Sequence, residues 1–198
     1  SGHLIVLNTS DYKDFQSEEY INSKVFKLYT SGSTGTPFQI REDMNKRYRM
    51  LAEQIYYGEK AGYFIGMRYV FFRVWTDINT KSKLVKWATN LVQQDIVRLD
   101  DDSLSETRKL LHEDKKIKFL LGYASTFENL ANYLIKCGDT PDKFNVEAIV
   151  SGSEVLTEDV REKLIQVFGC SVVSRYSNQE NGMLAQECKE NYEFHINN

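Results

Sequence analysis

Residues 117–150 read IKFLLGYASTFENLANYLIKCGDTPDKFNVEAIV, and this stretch decides the fold class. Its first seven residues are almost all apolar, which is typical of a buried strand. From residue 127 to residue 135 apolar side chains recur every three or four positions, and Gly138 follows as a helix stop. Residues 146–150 form a second apolar run. The stretch therefore predicts a β–α–β unit with two parallel strands.

The alternation of strands and helices continues on both sides of this unit. The patterns predict further strands at 25–29, 38–40, 69–75, 96–99 and 171–176. They predict further helices from Asp43 to about 60, at 84–92, 102–112 and 157–168. The apolar face predicted for the first helix consists of Met44, Tyr48, Leu51, Ile55 and Tyr56. The chain is predicted to be α/β, with a largely parallel sheet flanked by helices.

Composition limits the kinds of partner. The chain has 198 residues, of which 41% are hydrophobic and 27% charged, with a net charge of -3. These values are typical of a globular domain and give no general attraction to nucleic acid or membranes. No apolar run is long enough to span a bilayer. Three widely spaced cysteines, Cys137, Cys170 and Cys188, suggest free thiols in a reducing cytoplasm.

A hydroxyl-rich loop follows the first predicted strand: Thr30-Ser31-Gly32-Ser33-Thr34-Gly35-Thr36-Pro37. Backbone N–H groups of such a loop, with the hydroxyls of Ser31, Ser33 and Thr34, suit a polyanion such as a triphosphate. The glycine spacing and the absence of a following lysine exclude a P-loop. The alternative is an ordinary turn between two strands.

Two further polar segments follow predicted strands of the sheet. They are Ser151-Gly152-Ser153-Glu154 and Tyr176-Ser177-Asn178-Gln179-Glu180. Ligands of parallel α/β sheets bind beyond the carboxyl ends of the strands, so both segments are candidate site residues. Taken singly, each has a structural alternative: a rim tyrosine, a solvated acid, or Glu154 as a cap of the helix that starts near Thr157.

The order and spacing of these three motifs resemble the adenylate-forming superfamily of acyl-CoA synthetases, luciferases and peptide-synthetase adenylation domains. The branch most similar is that of the phenylacetate-CoA ligases and their relatives from capsular polysaccharide biosynthesis. Leu121-Gly122-Tyr123-Ala124-Ser125 and the tail Gln186-Glu187-Cys188 with His195-Ile196 also resemble that branch. The resemblance covers about residues 25–196. It implies that residues 25–198 are part of the large N-terminal domain of such an enzyme, preceded by a lead-in over 1–24.

The resemblance implies ATP-dependent activation of a carboxylate, giving an acyl-adenylate and pyrophosphate, followed by transfer to a thiol such as CoA. Glu180 would hold Mg²⁺ against the α-phosphate and, with Thr34, take part in catalysis. Tyr176 would stack on the adenine. The ATP-binding residues implied are Thr30, Ser31, Gly32, Ser33, Thr34, Gly35, Gly152, Ser153, Glu154, Tyr176, Ser177 and Gln179.

The chain departs from the family pattern at several positions. Thr36 and Phe38 stand where a lysine is common, Ser177 replaces a glycine, and Gln179 replaces a hydroxyl residue. These departures motivate an alternative: a non-catalytic nucleotide-binding or interaction module of a capsular polysaccharide biosynthesis protein.

Residues at the carboxyl ends of the predicted strands are also candidates for the pocket that binds the acid. Its candidates are Tyr123, Ala124, Ser125 and Ser151, together with Phe72. The expected partners are a small-molecule carboxylate, with a hint of an aromatic or apolar acid, and a thiol acceptor; a homodimer stays open. Cys170, Cys188 and His195 are candidate zinc ligands, with a structural thiol and a surface histidine as the alternative.

Family members are considerably longer than this chain. Beyond the last motif they carry an aspartate for the ribose, a hinge and a small C-terminal domain with a catalytic lysine. None of these precedes Asn198, and Ser1-Gly2-His3 has the look of a cloning remnant. We therefore expect a fragment that lacks the C-terminal domain and that does not adenylate by itself.

Overall fold

The computed structural model describes residues 25–29, 39–77, 79–178 and 181–197. The chain divides into two compact units. One comprises residues 1–52 with 179–182, and the other comprises residues 53–178 with 183–198. The expected lead-in over residues 1–24 lies outside the described residues.

In the first unit, β1 (Phe26–Tyr29) pairs antiparallel with β2 (Gln39–Glu42), with Phe26 opposite Glu42. The strands predicted at 25–29 and 38–40 are thus confirmed, and they form a hairpin. Helix α1 (Met44–Ala61) begins directly after Asp43, whose carboxylate accepts a hydrogen bond from the backbone N–H of Lys46 at 2.6 Å. Asp43, at which the predicted helix starts, is therefore its N-terminal cap. Helix α1 continues into the second unit.

The second unit contains a seven-stranded sheet in the order β4-β3-β5-β6-β7-β8-β9. Its strands are β3 (Arg68–Arg73), β4 (Leu91–Asp95), β5 (Ile117–Tyr123), β6 (Ala148–Gly152), β7 (Ser171–Asn178), β8 (Gly182–Glu187) and β9 (Phe194–Ile196). Its helices are α2 (Lys83–Ala88), α3 (Asp101–Glu113), α4 (Ala124–Lys136) and α5 (Glu158–Phe168), with a 3-10 turn at Pro141–Lys143.

Strands β3 to β7 pair in parallel, and β9 is antiparallel to β8. The predicted α/β class with a largely parallel sheet is confirmed. Within the described residues, no helix combines the length and the apolar character needed to cross a bilayer.

The main hydrophobic core lies between the sheet and helices α3, α4 and α5. Phe127 and Leu130 of α4 are fully buried there, as are Leu120, Ile149 and Val172 from alternate positions of β5, β6 and β7. A smaller cluster covers the other face of the sheet. Its buried members are Ala61, Phe119, Ala148, Val150 and Val173. Because side chains alternate along a strand, each central strand contributes to both clusters.

Local sequence signals fix the ends of α5. The side chain of Thr157 accepts from the backbone N–H of Val160, and Gly169 takes a left-handed conformation with φ of 65° at the C-terminus. A Cβ at Gly169 would lie 3.0 Å from Cβ of Pro141, so both conformation and space require glycine there. The predicted helix over 157–168 is confirmed.

The prediction for residues 84–99 is wrong in its second half. Helix α2 ends at Ala88, Asn90 has a φ of 54°, and the strand occupies Leu91–Asp95 rather than 96–99. A left-handed residue breaks the helix, and the β-branched and apolar start Leu91-Val92 then pairs with β3. Helical spacing alone could not distinguish Leu91 as a helix residue from Leu91 as the first residue of a buried strand.

Two further differences from the sequence prediction concern the buried face of α1 and the strands β8 and β9. The apolar face predicted for α1 is largely exposed: Met44 is 42%, Tyr48 63%, Leu51 55% and Tyr56 56% exposed. The buried residues of that helix are Tyr57, Gly58 and Ala61. Strands β8 and β9 are not predicted by the sequence, because their short mixed patterns lack clear alternation.

Candidate active site

The carboxyl ends of β5, β6 and β7 lie side by side and bring the predicted site segments together. Tyr123 pairs with Gly152, and Gly152 pairs with Arg175, so the three residues form one row across the central strands. It is the last row in which the three strands pair with one another: β5 and β6 end there, and β7 continues to Asn178. This is the edge at which α/β sheets bind ligands.

Glu154 caps a helix, but not the one that the sequence suggests. Its Oε2 accepts a hydrogen bond of 2.7 Å from the backbone N–H of Ser125, in the first turn of α4, whereas Thr157 caps α5. The cap residue of α4 itself, Tyr123, offers no side-chain hydrogen bond. The carboxylate therefore satisfies an otherwise unpaired helix N–H and lies at the positive end of the helix dipole.

Ser153 gives the turn before Glu154 its shape. Its φ of 67° lies in the left-handed region, which is uncommon for a residue with a side chain. The hydrogen bond from Ser125 to Glu154 stabilises this turn against the start of α4. The backbone of Gly152-Ser153 therefore has a defined conformation at the edge of the sheet. A nucleotide base that lay along this backbone would need such a surface.

Tyr176 projects from the end of β7 with 63% of its surface exposed. The preceding residues Val172, Val173 and Ser174 are buried, so the strand leaves the core at this point. A large aromatic ring on an otherwise ordered strand offers a flat apolar face to a ligand. Ser177 beside it is partly exposed.

The predicted pocket residues differ in accessibility. Ser125 is exposed and Tyr123 half-buried, but Ala124 and Ser151 are buried, and Phe72 packs inside the core with its ring 5.6 Å from that of Phe127. The Ser151 hydroxyl is fully buried and has no hydrogen-bond partner among the described residues. Tyr123 and Ser125 are therefore the accessible members of the set.

Arg175 is a candidate site residue that the sequence motifs do not include. Its Nε donates to Oε1 of Gln186 at 2.9 Å, and Nε2 of Gln186 donates to the carbonyl of Tyr57 on α1 at 2.7 Å. Burial lowers the pKa of Arg175 to about 10, because the protein interior disfavours its charge. The signal available in the sequence is a cation inside the predicted strand 171–176, two residues after Val173.

The candidate zinc ligands do not form one group. Burial raises the pKa of the Cys170 thiol to about 12, and Cys170 packs against the main core. The pKa of Cys188 is lowered, first by a hydrogen bond from the backbone of Asn191 and then by His195. Among the described residues, no three His, Cys, Asp or Glu side chains are grouped so as to hold a metal ion. Zinc binding by Cys188 and His195 stays a prediction.

The remaining predicted residues lie outside the described part of the chain. They are Thr30, Ser31, Gly32, Ser33, Thr34, Gly35, Gln179 and Glu180. Their roles toward ATP and Mg²⁺ stay predictions.

The chain is similar in sequence to one curated protein. Protein CapK of Staphylococcus aureus is 27% identical over a region that covers 85% of this chain and 38% of CapK. No family model matches the chain.

Three solved structures of similar fold belong to larger proteins. ATP-bound MatB from Rhodopseudomonas palustris superposes with a TM-score of 0.55 at 18% identity, covering 83% of this chain and 31% of MatB. A 2-hydroxyisobutyryl-CoA ligase gives 0.61 at 15% identity, covering 91% and 44%. A benzoate-CoA ligase from Burkholderia xenovorans gives 0.60 at 14% identity, covering 86% and 33%.

This chain therefore spans less than half the length of each of these proteins. The family recognition made from the motifs is confirmed at the level of the fold. The chain has the fold of the large N-terminal domain of the adenylate-forming enzymes.

Proposed function

We propose that this chain is the nucleotide-binding part of a ligase that activates a carboxylic acid with ATP. The acid's carboxylate oxygen attacks the α-phosphorus, and the bond from that phosphorus to the bridging oxygen breaks, so that pyrophosphate leaves. A thiolate, with CoA the expected carrier, then attacks the acyl carbon and AMP leaves. The carboxylate-activating activity of the CoA ligases of similar fold supports the proposal.

The observation that carries the proposal is the row at the carboxyl edge of β5, β6 and β7. There an exposed tyrosine, Tyr176, follows Arg175 directly, and Arg175 pairs with Gly152, the residue that opens the Gly152-Ser153-Glu154 turn. The base would stack on Tyr176 and lie along the turn, whose course is held by the hydrogen bond from Ser125 to Glu154.

In this proposal the residues of the hydroxyl-rich loop, Thr30 to Gly35, hold the phosphates through N–H and O–H donors. Glu180 supplies a carboxylate oxygen for Mg²⁺, a hard cation that prefers such ligands. When bound, the metal neutralises charge on the phosphates. The chain's own contribution is to position base and phosphates relative to the acid.

Calorimetric titration of the full 198-residue chain with ATP and Mg²⁺ tests the proposal. We expect Tyr176→Ala to weaken ATP binding by about tenfold, since one stacked base contributes about 1–3 kcal/mol. Tyr48→Ala is the matched control, because Tyr48 is equally exposed at 63% but lies on α1. Glu180→Ala is expected to remove the Mg²⁺ dependence of binding. Equal ATP affinity in the wild type and in both site variants contradicts the proposal.

The alternative is a nucleotide-binding or interaction module without catalysis, which the departures at Thr36, Ser177 and Gln179 favour. The ligase and the non-catalytic module differ in one reaction of the longer parent protein. In the presence of its acid, the ligase exchanges labelled pyrophosphate into ATP, and the module does not. ATP binding without any exchange across a broad panel of acids favours the module.

A further inference from the structure

Arg175 lies at the candidate active site without a counter-ion among the described residues. Its side chain makes no ion pair with them, and its one hydrogen bond to them is from Nε to Gln186. The two terminal guanidinium nitrogens are not used by that bond. A partly buried cation without an anion is unfavourable, so its presence calls for an anionic partner that binds there.

The guanidinium is held in place rather than free to turn toward water. Gln186 is only 1% exposed and is fixed at its other end by the carbonyl of Tyr57. This chain of hydrogen bonds lies on the sheet face that α1 covers, the face of Val150 and Val173. Arg175 belongs to that face because it is two residues after Val173 on the same strand. Its orientation is therefore set before any ligand arrives.

The row leaves the position beside Arg175 without a side chain. Between Arg175 and Tyr123 stands Gly152, and the nearest heavy atom to a Cβ built there is the Arg175 carbonyl oxygen, at 3.8 Å. Two strand spacings separate Tyr123 from Arg175, about 10 Å. The half-buried Leu121 precedes Tyr123 on this face. The row thus offers an aromatic ring, a gap and a cation, with an apolar side chain behind.

We propose that Arg175 binds a second anionic group on the acid that the ligase activates, so that the substrate is a small acid with two anionic groups. This rests on the proposed function for the first carboxylate, which reacts with ATP. The second group, a carboxylate or a phosphate, accepts charge-assisted hydrogen bonds from the terminal guanidinium nitrogens. Such an acid differs from the aromatic or apolar acid at which Tyr123 and Phe72 hint.

The test measures binding of paired acids to the full chain by ligand-observed NMR and calorimetry. Succinate is compared with butyrate, glutarate with pentanoate, and 3-phosphoglycerate with glycerate. We expect each dianionic acid to bind at least about tenfold more tightly than its partner. Comparison of succinate and glutarate with 3-phosphoglycerate identifies whether the second group is a carboxylate or a phosphate.

Two variants assign the effect to Arg175. Arg175→Leu should abolish the preference, and Arg175→Lys, which keeps the charge but not the planar fork, should retain part of it. Arg98→Leu, which changes another arginine of the chain, is the control and should keep the full preference. Circular dichroism checks that each variant is folded. If Arg175→Leu does not fold, Arg175→Lys and Arg175→Gln decide, with the Gln variant losing the preference.

Several outcomes overturn the inference. They are equal binding of the paired acids, no binding of any acid to the folded wild-type chain, or a preference unchanged in the variants that lack the charge. A loss of ATP affinity in Arg175→Leu with acid binding unaltered would assign the arginine to the nucleotide instead. Failure of ATP binding in the wild type, with the acid preference intact, would count against the proposed function alone.

Discussion

Arg161 and Arg175 belong to the same unit but are compensated in opposite ways. Arg161 is 3% exposed, and its Nη2 lies 3.0 Å from both carboxylate oxygens of Glu187. Its Nε lies 3.1 Å from Glu158, and its guanidinium covers the ring of Tyr192 at 4.2 Å. Arg175 has one neutral hydrogen-bond partner, Gln186.

The difference separates a structural charge from one available to a ligand. Glu187 also accepts from the backbone N–H of Ser174 at 2.7 Å, so the Arg161 network joins α5, β7 and β8. A buried ion pair of this kind is complete without a ligand. Arg175 is complete only when an anion from outside contacts it.

The largest expected effect is that of Glu187→Ala. This substitution leaves Glu158 as the only carboxylate partner of the buried Arg161 guanidinium among the described residues. We expect the free energy of unfolding to fall by about 3–5 kcal/mol. Urea unfolding followed by circular dichroism measures it. Glu162→Ala is the control, because Glu162 is exposed and lies beside Arg161 on α5. It should change the free energy of unfolding by less than about 0.5 kcal/mol. A loss of the same small size in both variants would mean that Arg161 needs no compensation.

Glu154→Ala tests a carboxylate whose partner is a helix end rather than a cation. Loss of the hydrogen bond from Ser125 should lower the free energy of unfolding by about 1 kcal/mol. Glu154→Gln, which keeps an acceptor oxygen, should lose less, and Glu128→Ala on the exposed side of α4 is the control. The same urea curves supply the values. Equal stability of Glu154→Ala and Glu128→Ala would show that the cap contributes nothing in solution.

The smallest effect is expected for Arg175→Leu in the absence of ligand. Leucine removes the unfavourable burial of a charge, and this gain offsets the lost hydrogen bond to Gln186. The free energy of unfolding should therefore change by less than about 1 kcal/mol. Arg161→Leu, measured beside it, should lose several times as much. Comparable losses for the two arginines would break the comparison and make Arg175 a structural residue.

Much of the fold was predictable because strong local signals coincide with tertiary contacts. The strand Ile117–Tyr123 and the helix Glu158–Phe168 have the predicted bounds within a residue, since apolar periodicity, Thr157 and Gly169 all agree. Residues 89–99 were not predictable in this way. Asn90 breaks a helical pattern through its backbone conformation, and the following strand is stabilised by pairing with β3.

The candidate site was predictable as a set of segments but not as a set of contacts. Sequence order placed Gly152, Tyr176 and Tyr123 at strand ends, and the register of the sheet does bring their strands together. The partner of Glu154 is 29 residues away in sequence, and that of Arg175 is fixed by a helix more than a hundred residues earlier. No local pattern encodes contacts of that separation.

By itself, the sequence determined the α/β class, the resemblance to the adenylate-forming fold and the three motif segments, because periodicity and residue type act over short range. Only the tertiary structure decided which buried charge is compensated. That depends on which side chains the strand order and register place within hydrogen-bond distance, and Arg161 meets Glu187 there while Arg175 meets an amide.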